Sequence, residues 1–449
     1  MKLNPSNTAI VKRLLLSRNS RPLQSILKKI EPADLATLMG QFNEREVRLL
    51  IEALLVIDKA TEAILELPDS RIKSILKVLP TNRLLEIIAS SSDEDAAFLT
   101  LQLDNAMQQD ILLNFQENRR NRILQFMNFP EDSAGRIMQS QIFSMPVDLT
   151  AKEGLDLLRS KAQEESIYYI YCVNKDSKLV GVLSLRALAT APPETPLRKL
   201  VKKEIVTVKP DNTAEEVAQI VSHYDFIAIP VVDDRNNLLG VITIDDVLDI
   251  IQEQATANIY AQAGLQEDDR VYSSVAFKIK NRTPWMFVNL VLAVVASSVV
   301  SLFENTMHEL IILASLKNIV AGMGGNTAIQ SLTVVTRGLA TGDFKFTTHT
   351  KTVVREILVG MTLGILTGLS AGLLTYFWKG DFMVSIVIFI AMILNSIIAS
   401  SAGAMVPIIL NRFNLDPATG SGVIVTMITD IFSFFSFLGL ATLGLKYFT

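Results

Sequence analysis

Lys278-Ile279-Lys280-Asn281-Arg282-Thr283-Pro284-Trp285-Met286-Phe287-Val288-Asn289-Leu290 is where this chain changes character. Up to about Lys280 the sequence is dense in Lys, Arg, Asp and Glu, and from Pro284 onward acidic and basic residues nearly vanish for long stretches. An apolar run of about 20 residues is long enough to cross a bilayer as a helix. Such runs fall near 284–304, 309–335, 353–377, 382–410 and 422–445. A soluble half is therefore expected first, followed by an all-α polytopic membrane half of five transmembrane helices. The second span is interrupted by Lys317, Asn318 and a glycine cluster.

The composition of the 449 residues, 49% hydrophobic and 20% charged, averages over these unlike halves. With 42 Lys and Arg against 46 Asp and Glu, the net charge of −4 offers no basic field to hold nucleic acid by counterion release, so no nucleic-acid partner is expected. The single cysteine, Cys172, permits no internal disulfide; it sits in the apolar run Ile167 to Val173 and reads as a small core residue. Met1 to Ser20 has no long apolar core or small-residue cleavage site, so no signal peptide is expected.

Upstream of the boundary, residues 252–282 form a connecting segment that begins helically, as a continuation of Asp245-Asp246-Val247-Leu248-Asp249-Ile250-Ile251. A helix running from a soluble sensor to the membrane can transmit movement; a passive connector is the alternative. Residues 131–251 alternate strands with helices and carry a duplication, in which Ile142-Phe143-Ser144-Met145-Pro146-Val147-Asp148 is echoed by Ile205-Val206-Thr207-Val208-Lys209-Pro210-Asp211. Val180-Gly181-Val182-Leu183-Ser184-Leu185 likewise corresponds to Leu239-Gly240-Val241-Ile242-Thr243-Ile244. Here the chain resembles an α/β tandem CBS pair, a regulatory sensor, and the resemblance implies an adenosine-nucleotide site at Thr243 and Asp246, with Arg186 nearby. The first copy has Ser184 followed by Ala187 in place of the Thr/Asp pair, so ATP binding and a purely structural role both stay open. Residues 1–130 read as an all-α helical domain of short amphipathic helices, with prolines just inside several helix starts and a recurring helix-turn-helix unit.

Downstream, Lys278, Lys280 and Arg282, then Arg337, Lys345, Lys351 and Arg355, and then Arg412 all fall on one side of a five-span arrangement. That side, with the soluble half, is expected to be cytoplasmic, leaving the C-terminus outside. Gly360, Gly364, Gly368 and Gly372 line one face of the third span and suit close helix packing. A carboxylate in hydrocarbon persists mainly where it faces water, a partner or an ion path. Asp430, inside Val425-Thr426-Met427-Ile428-Thr429-Asp430-Ile431-Phe432, is accordingly the first candidate for an ion site, a buried pair with Lys317 being the alternative. Gly324-Gly325-Asn326 with Thr327 and Gln330 offers backbone carbonyls and neutral oxygens suited to a hard cation or its hydration shell.

Four stretches together resemble the MgtE magnesium channels: Phe129-Pro130-Glu131-Asp132-Ser133-Ala134-Gly135-Arg136-Ile137-Met138, Met323-Gly324-Gly325-Asn326 with Gln330, Thr333-Val334-Val335-Thr336-Arg337-Gly338-Leu339-Ala340, and Leu415-Asp416-Pro417-Ala418. The resemblance implies a homodimer in a cell (inner) membrane, in contact with lipid, that admits Mg2+ through a pore containing Asp430, Asn326, Gly325, Gln330 and Thr426, with Asp416 at the cytoplasmic mouth. It also implies that intracellular Mg2+ gates the pore through acidic residues of the N-domain, CBS pair and plug helix. The candidates here are Glu94, Asp95, Glu215, Glu216, Asp225, Asp245, Asp246, Asp249 and Glu253. Oxygen donors alone discriminate poorly among Mg2+, Mn2+ and Co2+.

The chain departs from the family pattern in several places. Glu94-Asp95-Ala96-Ala97-Phe98 and Glu253-Gln254-Ala255-Thr256-Ala257-Asn258 carry fewer acids than usual, and Ala328 and Thr429 stand where glycine and asparagine are usual. Fewer carboxylates imply that closure needs more Mg2+ or is partly lost. Two other functions compete with a channel, a Na+-coupled divalent-cation exchanger and a non-conducting membrane-anchored sensor. An enzyme is disfavoured, because His223, His308 and His349 stand in unrelated contexts with no nucleophile motif or metal-ligand spacing.

Overall fold

A computed structural model describes residues 5–17, 20–161, 167, 169–265, 269–413, 415–417 and 420–448. Their contacts divide the chain into two units, Met1–Gln252 and Glu253–Thr449.

The first unit opens with a run of short helices, from α1 (Pro5–Leu16) to α10 (Glu117–Asn128). Local chemistry sets their ends. Pro32 begins α3 (Pro32–Gln41), where its missing N–H costs nothing, and Asn43 and Glu46 close a reciprocal capping box on α4 (Glu44–Leu55). Most helices pack on neighbours a few places along the chain, in keeping with the expected helix-turn-helix stack. Leu50, Leu54, Ile72 and Leu76 are fully buried, in a core that continues through Val217, Val221, Ile229 and Val231 of the duplicated region.

The duplication is visible in three dimensions. In the first copy, after α11 (Ala134–Ile137), β1 (Ser144–Pro146) runs parallel to β2 (Ile170–Val173), and β2 is antiparallel to β3 (Leu179–Leu183). Helix α12 (Ala151–Lys161) lies between β1 and β2 in sequence, and α13 (Leu185–Thr190) and α14 (Leu197–Leu200) follow β3. In the second copy Val208 bridges in parallel to Val231, α15 (Ala214–Tyr224) follows, and β4 (Ala228–Val232) is antiparallel to β5 (Leu238–Thr243). Both hairpins shift register at the same place, between Cys172 and Val173 and between Val231 and Val232. The matching glycines are sterically required: a Cβ on Gly181 would lie 1.8 Å from Val201, and one on Gly240 would lie 2.6 Å from Met138. α16 (Ile244–Gln262) then runs on from Ile251 as a single helix, as its sequence predicts.

The second unit is helical: α17 (Val275–Ser301), α18 (Glu304–Glu309), α19 (Ile312–Ala340), α20 (His349–Lys379), α21 (Phe382–Arg412) and α22 (Ser421–Phe448). Among the described residues, four helices are long and apolar enough to cross a membrane, α17, α20, α21 and α22 through Tyr447. The second expected span differs. At 29 residues α19 has the length, but Lys317, Asn318, Asn326, Gln330 and Arg337 make it too polar to count on composition. Its buried face, including Leu316, Val320, Ala328 and Leu332, is supplied with apolar contacts by the other helices of the unit.

The glycine face of α20 meets α21 backbone to backbone. A Cβ on Gly364 would lie 2.9 Å from Ile393 Cα, and one on Gly368 would lie 2.9 Å from Phe389 O. Close approach of this kind gives helices in lipid the van der Waals contact that hydrophobicity cannot supply there. At the other end of the unit the last turn of α16 seats against α22, with Gln262 O 2.5 Å from where a Cβ on Gly422 would stand.

Candidate functional site

Two contact layers set the register of α19 against α22. Leu313, Leu316 and Val320 pack with Phe437, Leu438 and Ala441 in one, and Ala328 and Leu332 pack with Val425 in the other. Between those layers α22 presents Asp430, half-buried, and α19 presents its glycine run. Gly324 is held against α21, where a Cβ would come within 2.2 Å of Asn395 Nδ2. Gly322 and Gly325 instead have nothing within 4 Å of a Cβ position and look onto open space. Asn326 and Gln330, one turn apart on the same face, are exposed in the single chain, as is Thr426, whose Oγ1 donates to Gly422 O. Exposed amides, open glycine backbone and a carboxylate on helices of such a unit would be costly against lipid. They suit a hydrated path.

Lys317 does not form the alternative pair with Asp430. Its Nζ rests 5.0 Å from the ring centre of Phe434, one turn along α22 from Asp430. Asp416 lies exposed in the connection between α21 and α22, while Ala418 of the same signature falls outside the described residues.

Two further polar groups stand within the membrane half, neither among the residues that the sequence singles out. Asn395, 1% exposed in the most apolar helix, donates from Nδ2 to Val320 O at 2.7 Å and leaves Oδ1 without a hydrogen-bond partner. Glu356, on α20, accepts a 2.7 Å hydrogen bond from Ser331 Oγ of α19. The signal that could have found them is the one that picks out Asp430, a polar side chain deep inside a predicted span.

In the first unit three of the acidic candidates converge where α8 (Asp93–Leu101) meets the second copy. Glu94 accepts from Ser140 Oγ at 2.7 Å, Asp246 accepts from Gln139 Nε2 at 3.2 Å, and Asp95 lies within electrostatic reach of both acids. Burial raises the Asp95 carboxyl above its ordinary range against the Ser92 hydrogen bond, with Glu94 and Asp246 adding repulsion. Burial raises Asp246 as well, helped by Asp245 and Asp249 and opposed by Thr243. The remaining candidates are dispersed. Glu216 caps its own helix with Thr213, Asp225 ends α15 in the left-handed region at φ 54°, and Glu215 and Glu253 are exposed. Among the described residues no group of three carboxylate, imidazole or thiol side chains is arranged to hold a metal ion. The Glu94, Asp95 and Asp246 cluster instead suits a hydrated cation that relieves repulsion without direct ligation by all three.

At the nucleotide candidates, Thr243 N and Oγ1 both donate to Asp246 Oδ2, at 3.1 and 2.7 Å. The first copy substitutes a backbone contact, Ala187 N donating to Ser184 Oγ. Arg186 is exposed on α13. A separate groove of about 580 Å³, lined by Phe129, Lys209, Asp211, Asn212, Glu216 and Asp233 among others, includes none of the nucleotide candidates.

These features define a membrane protein in which a helical and CBS-type half is followed by a half of long apolar helices. The family of divalent cation transporters matches residues 317–440, the CBS domain matches 134–194 and 197–253, and the MgtE intracellular N domain matches 30–132. The chain is 32% identical over 436 residues to the magnesium transporter MgtE of Thermus thermophilus, covering 95% of this chain and 96% of that one. It is 29% identical to the Bacillus subtilis magnesium transporter MgtE, covering 96% of each. Among solved structures, the cytosolic domain of the Mg2+ channel MgtE in complex with ATP aligns at TM-score 0.50 and 32% identity, covering 54% of this chain and 99% of that one. The soluble part of a magnesium transporter shares the fold at TM-score 0.51 and 23% identity, covering 56% and 98%. The chain belongs to the MgtE family.

Proposed function

We propose that this protein moves Mg2+ into the cell through a pathway lined by α19 and α22, with Asp430 as its ion site. What supports the reading is a half-buried carboxylate, Asp430, on the stretch of α22 between two packing layers shared with α19, whose own stretch between those layers carries open glycines and the exposed Asn326. Mg2+ sheds its octahedral waters reluctantly, so one carboxylate per chain with amides and backbone carbonyls around it suits the hydrated ion. Relatives named as magnesium transporters support Mg2+ as the cargo. Mn2+ and Co2+ are the expected competitors.

Because these polar groups lack cover within one chain, a homodimer that closes the pathway between two copies is the natural assembly. α19 then serves as the fifth span, shielded from lipid by its own copy and the partner. The basic flanks place the soluble half in the cytoplasm, the C-terminus outside and Asp416 at the inner mouth. The soluble half acts as the sensor. Intracellular Mg2+ screens Glu94, Asp95, Asp246 and the neighbouring Asp245 and Asp249, with Glu215, Glu216, Asp225 and Glu253 as further contributors. The sparse acids after Asp95 and Glu253 imply a higher Mg2+ threshold for closure. ATP is a candidate ligand of the second copy at Thr243 and Asp246, since a relative's cytosolic domain has been solved with it. A transporter accounts for the polar path, which an enzyme or a non-conducting sensor leaves without a role.

The test is uptake of Mg2+, Mn2+ and Co2+ into liposomes carrying wild type or Asp430→Asn, with folding checked for both. Flux lost or made unselective by the substitution supports the pathway, and unchanged flux sinks it. Flux that requires an opposing Na+ gradient identifies a coupled exchanger instead.

A further inference from the structure

A cation beside a cation pathway calls for a physical account. Lys317 lies five residues into α19, among positions that pack against α22, and its Nζ stands 5.0 Å from the ring centre of Phe434. Phe434 follows Asp430 by four residues, hence by about one helical turn, or about 6 Å along the axis. Among the described residues no carboxylate forms an ion pair with Lys317. Cation–π attraction holds an ammonium in place without neutralising it. The positive charge is therefore retained and seated on the outer side of Asp430, in the orientation proposed above.

We propose that Lys317 is a specificity-determining residue of the ion pathway, its charge lowering occupancy of the Asp430 site in proportion to the valence of the entering cation. The proposal rests on the pathway reading. Coulomb repulsion scales with the ion's charge, so the factor by which Lys317 weakens a divalent cation is the square of the factor for a monovalent one. An ammonium within about one helical turn, partly screened, weakens Na+ by about threefold and Mg2+ by about tenfold.

The experiment measures the half-saturating Mg2+ concentration for uptake, and inhibition by Na+, in liposomes carrying wild type, Lys317→Met, Lys317→Arg or Asp430→Asn. Lys317→Met is expected to lower the Mg2+ value about tenfold and the competitive inhibition constant of Na+ by about the square root of that factor. Lys317→Arg, which keeps both the charge and the stacking, is expected to match wild type. Equal shifts for the two ions, no shift, or failure of Arg to restore the wild-type value overturns the proposal. Where Na+ does not compete in any variant, the Met and Arg contrast in the Mg2+ value decides alone. Should Lys317→Met not fold, Lys317→Gln takes its place. Loss of flux in Asp430→Asn with Lys317 variants like wild type removes only the role of Lys317, whereas normal flux in Asp430→Asn removes the pathway itself.

Discussion

At the scale of single residues, the membrane half depends on side chains too small to be replaced. Gly324 is the clearest case, since any Cβ there meets Asn395 at 2.2 Å and would force apart α19 and α21. Gly324→Ala is expected to cost about 1–3 kcal/mol and to abolish uptake, whereas Gly322→Ala, with open space at its Cβ position, keeps wild-type stability. Thermal melting in detergent beside liposome flux separates the two. In the soluble half the decisive residues are acidic. Because Asp95 and Asp246 are raised in the folded state, that state holds their protons more tightly than the unfolded chain does. Their contribution is fully present below the ordinary aspartate range and is lost as pH rises through the raised values. Asp95→Asn should therefore melt increasingly above wild type as pH goes from about 4 to 7, and added Mg2+ should narrow the gap. A gap that is constant with pH would remove the electrostatic account.

Between elements, two devices hold α19, α20 and α21 together. The glycines of α20 let α21 approach at backbone distance, and Glu356 ties α20 to α19 through Ser331. Gly368→Val inserts a branched side chain where Phe389 O already stands 2.9 Å from a Cβ, and should lower the melting temperature of the whole protein. Glu356→Gln keeps an acceptor for Ser331 and should retain uptake, while Glu356→Ala leaves the Ser331 hydroxyl without that partner and should reduce it. If Gln and Ala behave alike, the hydrogen bond is not what positions α19.

For the whole molecule, Asn326 and Gln330 on the polar face of α19 are exposed in one chain, and the proposed assembly closes that face with a second copy. Cys172, the only cysteine, is fully buried, and burial pushes its thiol up to about 11, so the wild-type background for thiol cross-linking is low. Asn326→Cys in membranes should cross-link two copies under mild oxidation, and a cysteine at Leu366, on the exposed apolar side of α20, should not. Cross-linking at Leu366 alone would place the contact between copies on a different face.

Much of this organisation is legible in the amino-acid sequence alone. Charge and hydropathy separate the halves at Lys280–Pro284, the paired strand motifs announce the duplication, and the glycine spacing on α20 marks a packing face. These are periodic or compositional signals, carried by local stretches of chain, and local physics suffices to read them. What the tertiary structure decided are relations between residues far apart in sequence. It put Lys317 over Phe434 rather than in an ion pair with Asp430, set Asn395 against Gly324, and drew Glu94 and Asp95 to Asp246 while Glu215 stays exposed on its own helix. It also divided α19 into an apolar face packed on the other helices of the unit and a polar face, with Asn326 and Gln330, left exposed in the single chain, and no window of sequence records what surrounds a helix.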